Sequence, residues 1–472
     1  MITEPVRMDE SLAARQGLTR VESVMATIRR RIANRSLAPG SKLPSIRSLA
    51  RALGVSNSTV VEAYDRLAAE GVIRSRPGSG YFVTAPLAPL SLAEIGPALD
   101  REVDPLWISR QALGAAGDLL MPGCGWLPPS WMPTEALRRS LRSLSRSAPS
   151  KLVEYGPPLG LPALRELLAR RMANHGIEAS PGQIMLTESG TQAIDLVCRF
   201  LLKPGDAVLI DDPCYFNFHA LLRAHQAKIV GVPYTPTGPD IESFTRALTE
   251  HKPRLYITNS ALHNPTGAML SPVLAHRLLM LAEQSDLTIV EDDIFADFGV
   301  EPTPRLAAFD GLTRVVYIGS FSKTLSAAIR CGFIAAPREW VEDLVDLKIA
   351  TSFGAPAMSA ELVFDLLKDG SYRKHVEALR GRLSGAMTRT IEQLQPLGIT
   401  PWIEPRAGMF VWCRLPDGID AAVVARRMLE RKIVLAPGNA FSHTKSASGF
   451  LRFNVAQCAD QRIFSELARL ME

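Results

Sequence analysis

The chain has 472 residues, of which 47% are hydrophobic and 21% charged, with a formal net charge of +5. That length exceeds one ordinary core and predicts two or three domains, and the balance describes a water-soluble globular protein rather than a disordered or fibrous one. The cysteines (Cys124, Cys198, Cys214, Cys331, Cys413 and Cys458) are scattered with no Cys-x-x-Cys pair, which argues against a zinc site or a disulfide framework. No apolar run reaches the roughly 18 residues of a membrane span. Glu4, Asp9 and Glu10 do not suit a signal peptide, so the expectation is a cytoplasmic protein with no membrane partner and no metal.

Charge is unevenly placed along the chain. Residues 18–84 hold 11 Lys and Arg against 4 Asp and Glu, a net of +7 that leaves −2 for the remainder. A cationic small segment on a near-neutral body points to nucleic acid as the partner of the first part alone. Within it, Val21, Val24, Ile28 and Ile32 follow helical spacing, with Arg29, Arg30, Arg31 and Arg35 around them, and Pro39-Gly40 ends the helix. Ser45 caps a second helix whose Ile46, Leu49, Ala50 and Leu53 face inward before Gly54. Ser56 opens a third, with Val60, Ala63, Tyr64 and Leu67 as its buried stripe and Gly71 as its stop. Val72 to Val83 reads as a hairpin with Pro77-Gly78 at its tip. Residues 85–117, rich in Ala, Pro and Leu without a clear period, read as linker and lead-in, with room for a helical piece near Ser91.

From about Asp118 strand-like and helix-like segments alternate. Strands are predicted at 183–187, 207–211, 229–233, 255–258, 288–292, 315–320 and 332–335, and helices at 191–202, 216–225, 241–250 and 273–284. This is the pattern of an α/β domain over about 118–345, with a mostly parallel sheet covered on both faces and its ligand site at the strand C-terminal ends. Residues 346–472 read as a smaller α+β domain with short strands near 409–415 and 450–455.

The chemistry-bearing motifs fall at those strand ends. In chain order they are Asn264-Pro265-Thr266-Gly267, then Glu291-Asp292-Asp293, then Ser320-Phe321-Ser322-Lys323-Thr324-Leu325-Ser326, and then Arg330. Singly each has a bland reading: a solvated lysine, a turn, a strand-end acid, a surface cation. Together and in this order they resemble the pyridoxal phosphate site of a fold-type I aminotransferase. The first segment, above all Leu43-Pro44-Ser45-Ile46-Arg47-Ser48-Leu49-Ala50, resembles a GntR winged helix-turn-helix. The fusion of the two is similar to the MocR branch of the GntR regulators.

That resemblance implies pyridoxal 5'-phosphate as cofactor and a role for each matching position. Lys323 is the implied Schiff-base lysine, Asp292 the acid beside the ring nitrogen, Asn264 the donor to the ring hydroxyl oxygen, and Tyr215 the aromatic stacked on the ring. Ser189, Gly190, Thr191, Ser320, Ser322 and Arg330 are the implied phosphate set, joined by Tyr155 from a neighbouring subunit of a homodimer. Arg452 matches the arginine that grips a carboxylate, which implies an amino-acid-like effector or substrate. Many relatives carry a tyrosine three residues after the aspartate; here the position is Phe295, and the lost donor implies a weaker electronic match to transamination while the other cofactor contacts remain.

For the N-terminal segment, the start of the third helix places Asn57, Ser58 and Thr59 toward a DNA groove. Ser45 and Arg47 would meet the backbone, with Arg47 also in reach of guanine, and Arg76, Gly78 and Ser79 form a wing tip for phosphates or the minor groove. The same serines and arginines also read simply as helix caps and a solvated face. The expected function is therefore a transcription regulator that binds a double-stranded operator and senses an amino compound, or the cofactor itself, at Lys323. The alternative is a working aminotransferase with a secondary DNA-binding domain.

Overall fold

The computed structural model describes residues 19–33, 36–38, 40–84, 113, 119–299 and 303–471. The linker expected at 85–117, residue 113 apart, lies outside them, as do Arg35 and Pro39. The chain separates into two compact units, residues 1–99 and 100–472.

The first unit is three helices and a hairpin: α1 (Arg20–Ala33), α2 (Ile46–Leu53), α3 (Asn57–Ala69), β1 (Ile73–Arg76) and β2 (Gly80–Val83). The Ser45 hydroxyl accepts from the Ser48 amide at the start of α2, and Gly54 closes it at φ 65°, where a side chain would be strained. Ser56 caps α3 in the same way through the Thr59 amide. Val24, Ile28, Leu49, Leu53, Val60, Tyr64, Leu67, Ile73 and Val83 form one core, and the Tyr64 phenol donates to the Pro44 carbonyl. β1 and β2 pair antiparallel, Ile73 with Val83 and Arg76 with Gly80, so the wing tip is residues 77–79.

The second unit is built on an eight-stranded sheet. Its strands are β3 (Ile184–Thr187), β4 (Ala207–Asp212), β5 (Lys228–Thr235), β6 (Gly238–Pro239), β7 (Leu255–Thr258), β8 (Thr288–Asp292), β9 (Val315–Ser320) and β10 (Gly332–Ala335). They lie in the order β3-β10-β9-β8-β7-β4-β5-β6. The pairs from β9 through β8, β7 and β4 to β5 are parallel, whereas β10 runs against both its neighbours and β6 against β5. Successive side chains leave opposite faces of a strand, and the core divides accordingly. Leu209, Tyr256, Ile289, Val315 and Tyr317 enter one apolar cluster; Val208, Ile210, Leu255, Ile257, Val290, Val316 and Ile318 enter the other.

Helices cover both clusters. α4 (Pro162–Ala173) precedes the sheet and packs on the first cluster, through Leu164, Leu168 and Met172. α5 (Gly190–Leu201) and α6 (Phe216–Ala224) pack on the second, and α7 (Ile241–His251) and α8 (Pro272–Gln284) on the first. α9 (Val341–Ser352) then covers the second cluster and α10 (Ala357–Leu367) the first. The long α11 (Ser371–Leu394) leads into a four-stranded sheet, ordered β11 (Thr400–Pro401), β12 (Phe410–Arg414), β14 (Phe450–Asn454), β13 (Ala436–Pro437). α12 (Ala421–Glu430) and α13 (Arg462–Met471) pack on its core. The α/β reading, with a smaller α+β part after it, is what the chain adopts.

Candidate functional site

The end of β8 carries Asp292, and the loops after β3, β4, β7 and β9 carry Ser189, Tyr215, Asn264 and Lys323; because these strands all run the same way, the topology gathers the residues at their C-terminal ends. Lys323 Nζ donates to the Gly125 carbonyl at 2.5 Å. Burial pushes this amine down to about 8, helped by the neighbouring Arg452 and Arg330 and opposed by Cys124 and Asp292. Asp292 is buried, with its Oδ1 lacking any protein partner, and burial pushes its carboxyl up to about 7. The two groups feel each other electrostatically, and burial moves both pKa values toward neutrality.

Arg452 sits on β14 with no accessible surface. It donates to Asn264 Oδ1 at 2.9 Å and to the Gly123 carbonyl at 2.8 Å, while its guanidinium lies 4.1 Å from the Phe410 ring centre and 4.7 Å from that of Phe441. Its Nε has no partner, and burial lowers its pKa to about 10. Because Asn264 Oδ1 is engaged, its amide Nδ2 is the end left to donate to a ligand. Tyr215 lies within the electrostatic reach of both Arg452 and Asp292, and burial raises its phenol.

A turn with free first-turn amides follows β3, and neighbouring hydroxyls stand at the end of β9. Ser189 caps α5 through the Gln192 amide, and the first-turn amides of Gly190 and Thr191 have no intrahelical acceptor. Ser320 and Ser322 hydroxyls are 3.0 Å apart at the end of β9. A Cβ on Gly332 would stand 2.8 Å from the Ser189 carbonyl carbon and 2.9 Å from the Gly190 nitrogen, so only glycine lets β10 approach this turn. Arg330 is exposed and held at φ 52°, a conformation that costs a non-glycine residue about 1–3 kcal/mol.

Tyr155 is not part of this group within one chain. It is 79% exposed and packs edge-on against Phe353, itself 65% exposed, with 5.0 Å between ring centres. Phe295 is buried against Phe298 and Phe410 in the apolar core of the smaller part. The sequence reading missed the segment Gly123-Cys124-Gly125-Trp126, whose carbonyls receive Arg452, Lys323 and the Asn454 amide. It carries no titratable pattern, and a backbone acceptor leaves no signal in side-chain identity. Among the described residues no cluster of three or more His, Cys, Asp or Glu could hold a metal, and no helix is long and apolar enough to cross a membrane.

In the first unit Ser45, Arg47, Asn57, Ser58, Arg76, Gly78 and Ser79 are all exposed. Thr59 is half-buried, and its hydroxyl lies 2.8 Å from Ser56 Oγ, as does that of Ser58. Both hydroxyls therefore serve the cap of α3 before any contact outside the protein. Arg76 lies with its guanidinium 4.6 Å from the Phe82 ring centre, which restrains the wing tip.

Residues 115–469 match the family model of aminotransferase class I and II, and residues 20–83 that of bacterial regulatory proteins, gntR family. The uncharacterized HTH-type transcriptional regulator YdcR of Escherichia coli is 30% identical over 449 residues, covering 93% of this chain and 95% of the relative. Among solved structures, an archaeal alanine:glyoxylate aminotransferase superposes with a TM-score of 0.71 at 29% identity, over 77% of this chain and 93% of that one. LysN, the α-aminoadipate aminotransferase of Thermus thermophilus in complex with N-(5'-phosphopyridoxyl)-L-leucine, gives 0.69 at 28% identity, over 75% and 92%. With a match to the gntR family ahead of a match to aminotransferase class I and II, and similarity over nearly its whole length to an HTH-type transcriptional regulator, the chain belongs to the GntR/MocR-type transcriptional regulators.

Proposed function

We propose that this regulator binds pyridoxal 5'-phosphate covalently at Lys323 and changes its hold on operator DNA in response to an amino compound or to the cofactor itself. The observation that carries the reading is that Lys323, held on the Gly125 carbonyl, and the buried, partnerless Oδ1 of Asp292 stand in the same group of strand-end residues. The residues fit the group. Asp292 would face a protonated ring nitrogen, Asn264 Nδ2 the ring oxygen, Tyr215 the ring face, and the cradle of Ser189, Gly190, Thr191, Ser320, Ser322 and Arg330 the phosphate. When bound, the group supplies an aldehyde that exchanges between amines and a ring that withdraws electrons.

Arg452 supports a carboxylate-bearing effector. A fully buried guanidinium is costly unless paired, and its protein partners are the neutral Asn264 side chain and a carbonyl. Its free Nε is the donor such a ligand would take.

A homodimer completes the proposal. Val153, Tyr155, Phe353 and Met358 are exposed apolar side chains on this unit, with Tyr155 packed on Phe353. A second copy would cover them and turn Tyr155 toward the partner's phosphate cradle. The proposed division is a DNA-binding domain at 18–84, a linker and lead-in at 85–117, and an aminotransferase-like domain at 118–472 with parts meeting near 345. A cytoplasmic location suits a DNA-binding protein whose cysteines are all unpaired.

A working aminotransferase is the second reading, favoured by the intact Lys323, Asp292 and Arg452 set and opposed by Phe295. The test is operator titration with and without candidate amino acids, run beside a multiple-turnover transamination assay. Effector-dependent DNA affinity without turnover supports the regulator; sustained turnover with effector-blind DNA binding overturns it.

A further inference from the structure

A chain of polar contacts, buried at Thr324 and Tyr372, begins at the residue after Lys323. Tyr372, on α11, is 4% exposed, and its hydroxyl is 2.5 Å from Asp297 Oδ2 and 2.8 Å from Thr324 Oγ1. Thr324 follows Lys323 directly, and Asp297 lies in the short helical turn after β8 and Asp292. Arg171, on α4, holds the other oxygen of Asp297 at 2.6 Å and places its guanidinium 4.9 Å from the Tyr372 ring centre. His375 Nε2 is 2.8 Å from the Thr324 carbonyl, and Arg380 Nε donates to the Asp297 carbonyl at 2.8 Å.

Tyr372, His375 and Arg380 all reach these turns from α11, Tyr372 and His375 as neighbours one turn apart. The helix therefore grips both segments that carry the reactive pair, one just after Lys323 and one just after Asp292. The phenol has a single hydrogen, which the carboxylate of Asp297 takes, so the Thr324 hydroxyl donates to Tyr372 and the chain runs in one direction. Nothing in the site chemistry described above uses these groups. Tyr372 and Thr324 are buried and bonded to each other, and Asp297 is half-buried, so losing the hydroxyl of either buried residue leaves its partner short of a bond away from water.

We propose that Tyr372 is a positioning residue for Lys323: through Thr324 it ties the lysine's turn to α11, so the aim of the amine depends on where that helix stands. The proposal rests on Lys323 as the cofactor's lysine, but its first readout does not require cofactor. In cofactor-free protein, acylation of Lys323 by acetic anhydride, followed by peptide mass against pH, reports the exposure and basicity of the amine. The groups around that amine are Asp292, Cys124, Arg330 and Arg452, and none is altered by the variants.

Tyr372→Phe and Thr324→Val should each change the rate of Lys323 acylation and slow covalent capture of pyridoxal phosphate by roughly tenfold, the size of a lost coupling between contacting polar groups. Thr324→Ser, which keeps the hydroxyl, should restore both. The double variant Tyr372→Phe/Thr324→Val should be no worse than either single one. Wild-type acylation and capture in a folded Tyr372→Phe protein would overturn the proposal, as would additive losses in the double variant or a Thr324→Ser protein that behaves like Thr324→Val. If Tyr372→Phe does not fold, Thr324→Val and Thr324→Ser decide the matter alone. Wild-type protein that acylates at Lys323 but never captures the cofactor would sink the proposed function instead, and leave the acylation comparison standing.

Discussion

Arg452 reaches across from β14 to bond Asn264, 188 residues earlier in the chain, and so joins the smaller part of the second unit to a loop of the large sheet. One hydrogen bond at 2.9 Å fixes which end of Asn264 remains for a ligand. Arg452→Lys would keep the charge but lose the fork that spans Asn264 Oδ1 and the Gly123 carbonyl. The expected result is weaker response to carboxylate-bearing effectors, with covalent capture of the cofactor retained; a response equal to wild type would remove Arg452 from the effector site.

Lys323→Ala should abolish the yellow colour and the borohydride-trapped adduct while leaving operator binding measurable. Its DNA affinity should no longer move when effector is added. Peptide mapping of the reduced protein is the check, and an adduct on another lysine at the same yield would contradict the assignment.

The acid Asp292 gives a stability signature opposite to that of an ordinary paired carboxylate. Its pKa, and that of Glu291, is raised to about 7 by burial, so the folded state holds protons that the unfolded chain has released. In cofactor-free protein this stabilisation is complete below the ordinary carboxylate range and is lost as pH rises through about 7. Asp292→Asn should reduce the fall in melting temperature between those limits. An unchanged slope would mean that Asp292 is ionised throughout.

On the DNA side, Arg47→Ala should weaken operator binding by roughly 1–3 kcal/mol and relax specificity at one base if Arg47 reads a guanine. Arg76→Ala should lower affinity for all sequences and reduce the salt slope by about 1, as a phosphate contact does. Neither should alter the cofactor's absorbance. Titrations at two salt concentrations separate the two roles.

Sedimentation of the cofactor-bound protein at micromolar concentration should give a dimer, and Phe353→Asp should shift it toward monomer by placing a charge on the apolar surface around Tyr155. A monomer that still holds the cofactor would count against the shared site.

The alternation of apolar runs and helical periods determined the α/β class, because a strand buried on both faces must be apolar throughout and a covering helix must be apolar on one side. Capping serines and closing glycines located the N-terminal helices for an equally local reason: Ser45, Ser56 and Gly54 satisfy or relieve the backbone where they stand. The motif order likewise singles out Lys323, Asp292 and Asn264, since strand-end loops are where such a sheet presents side chains.

What the tertiary structure alone decided depends on contacts between distant residues or on the backbone. The Gly125 carbonyl under Lys323 comes from 198 residues earlier, and nothing in the identity of a glycine announces an acceptor. Helix position alone places Thr59 toward the groove, yet packing turns its hydroxyl back to Ser56. Tyr372, Asp297 and Thr324 carry no pattern while apart. They become one chain only when α11 is laid across the turns after β8 and β9, because hydrogen bonding requires a separation that folding, not sequence spacing, sets.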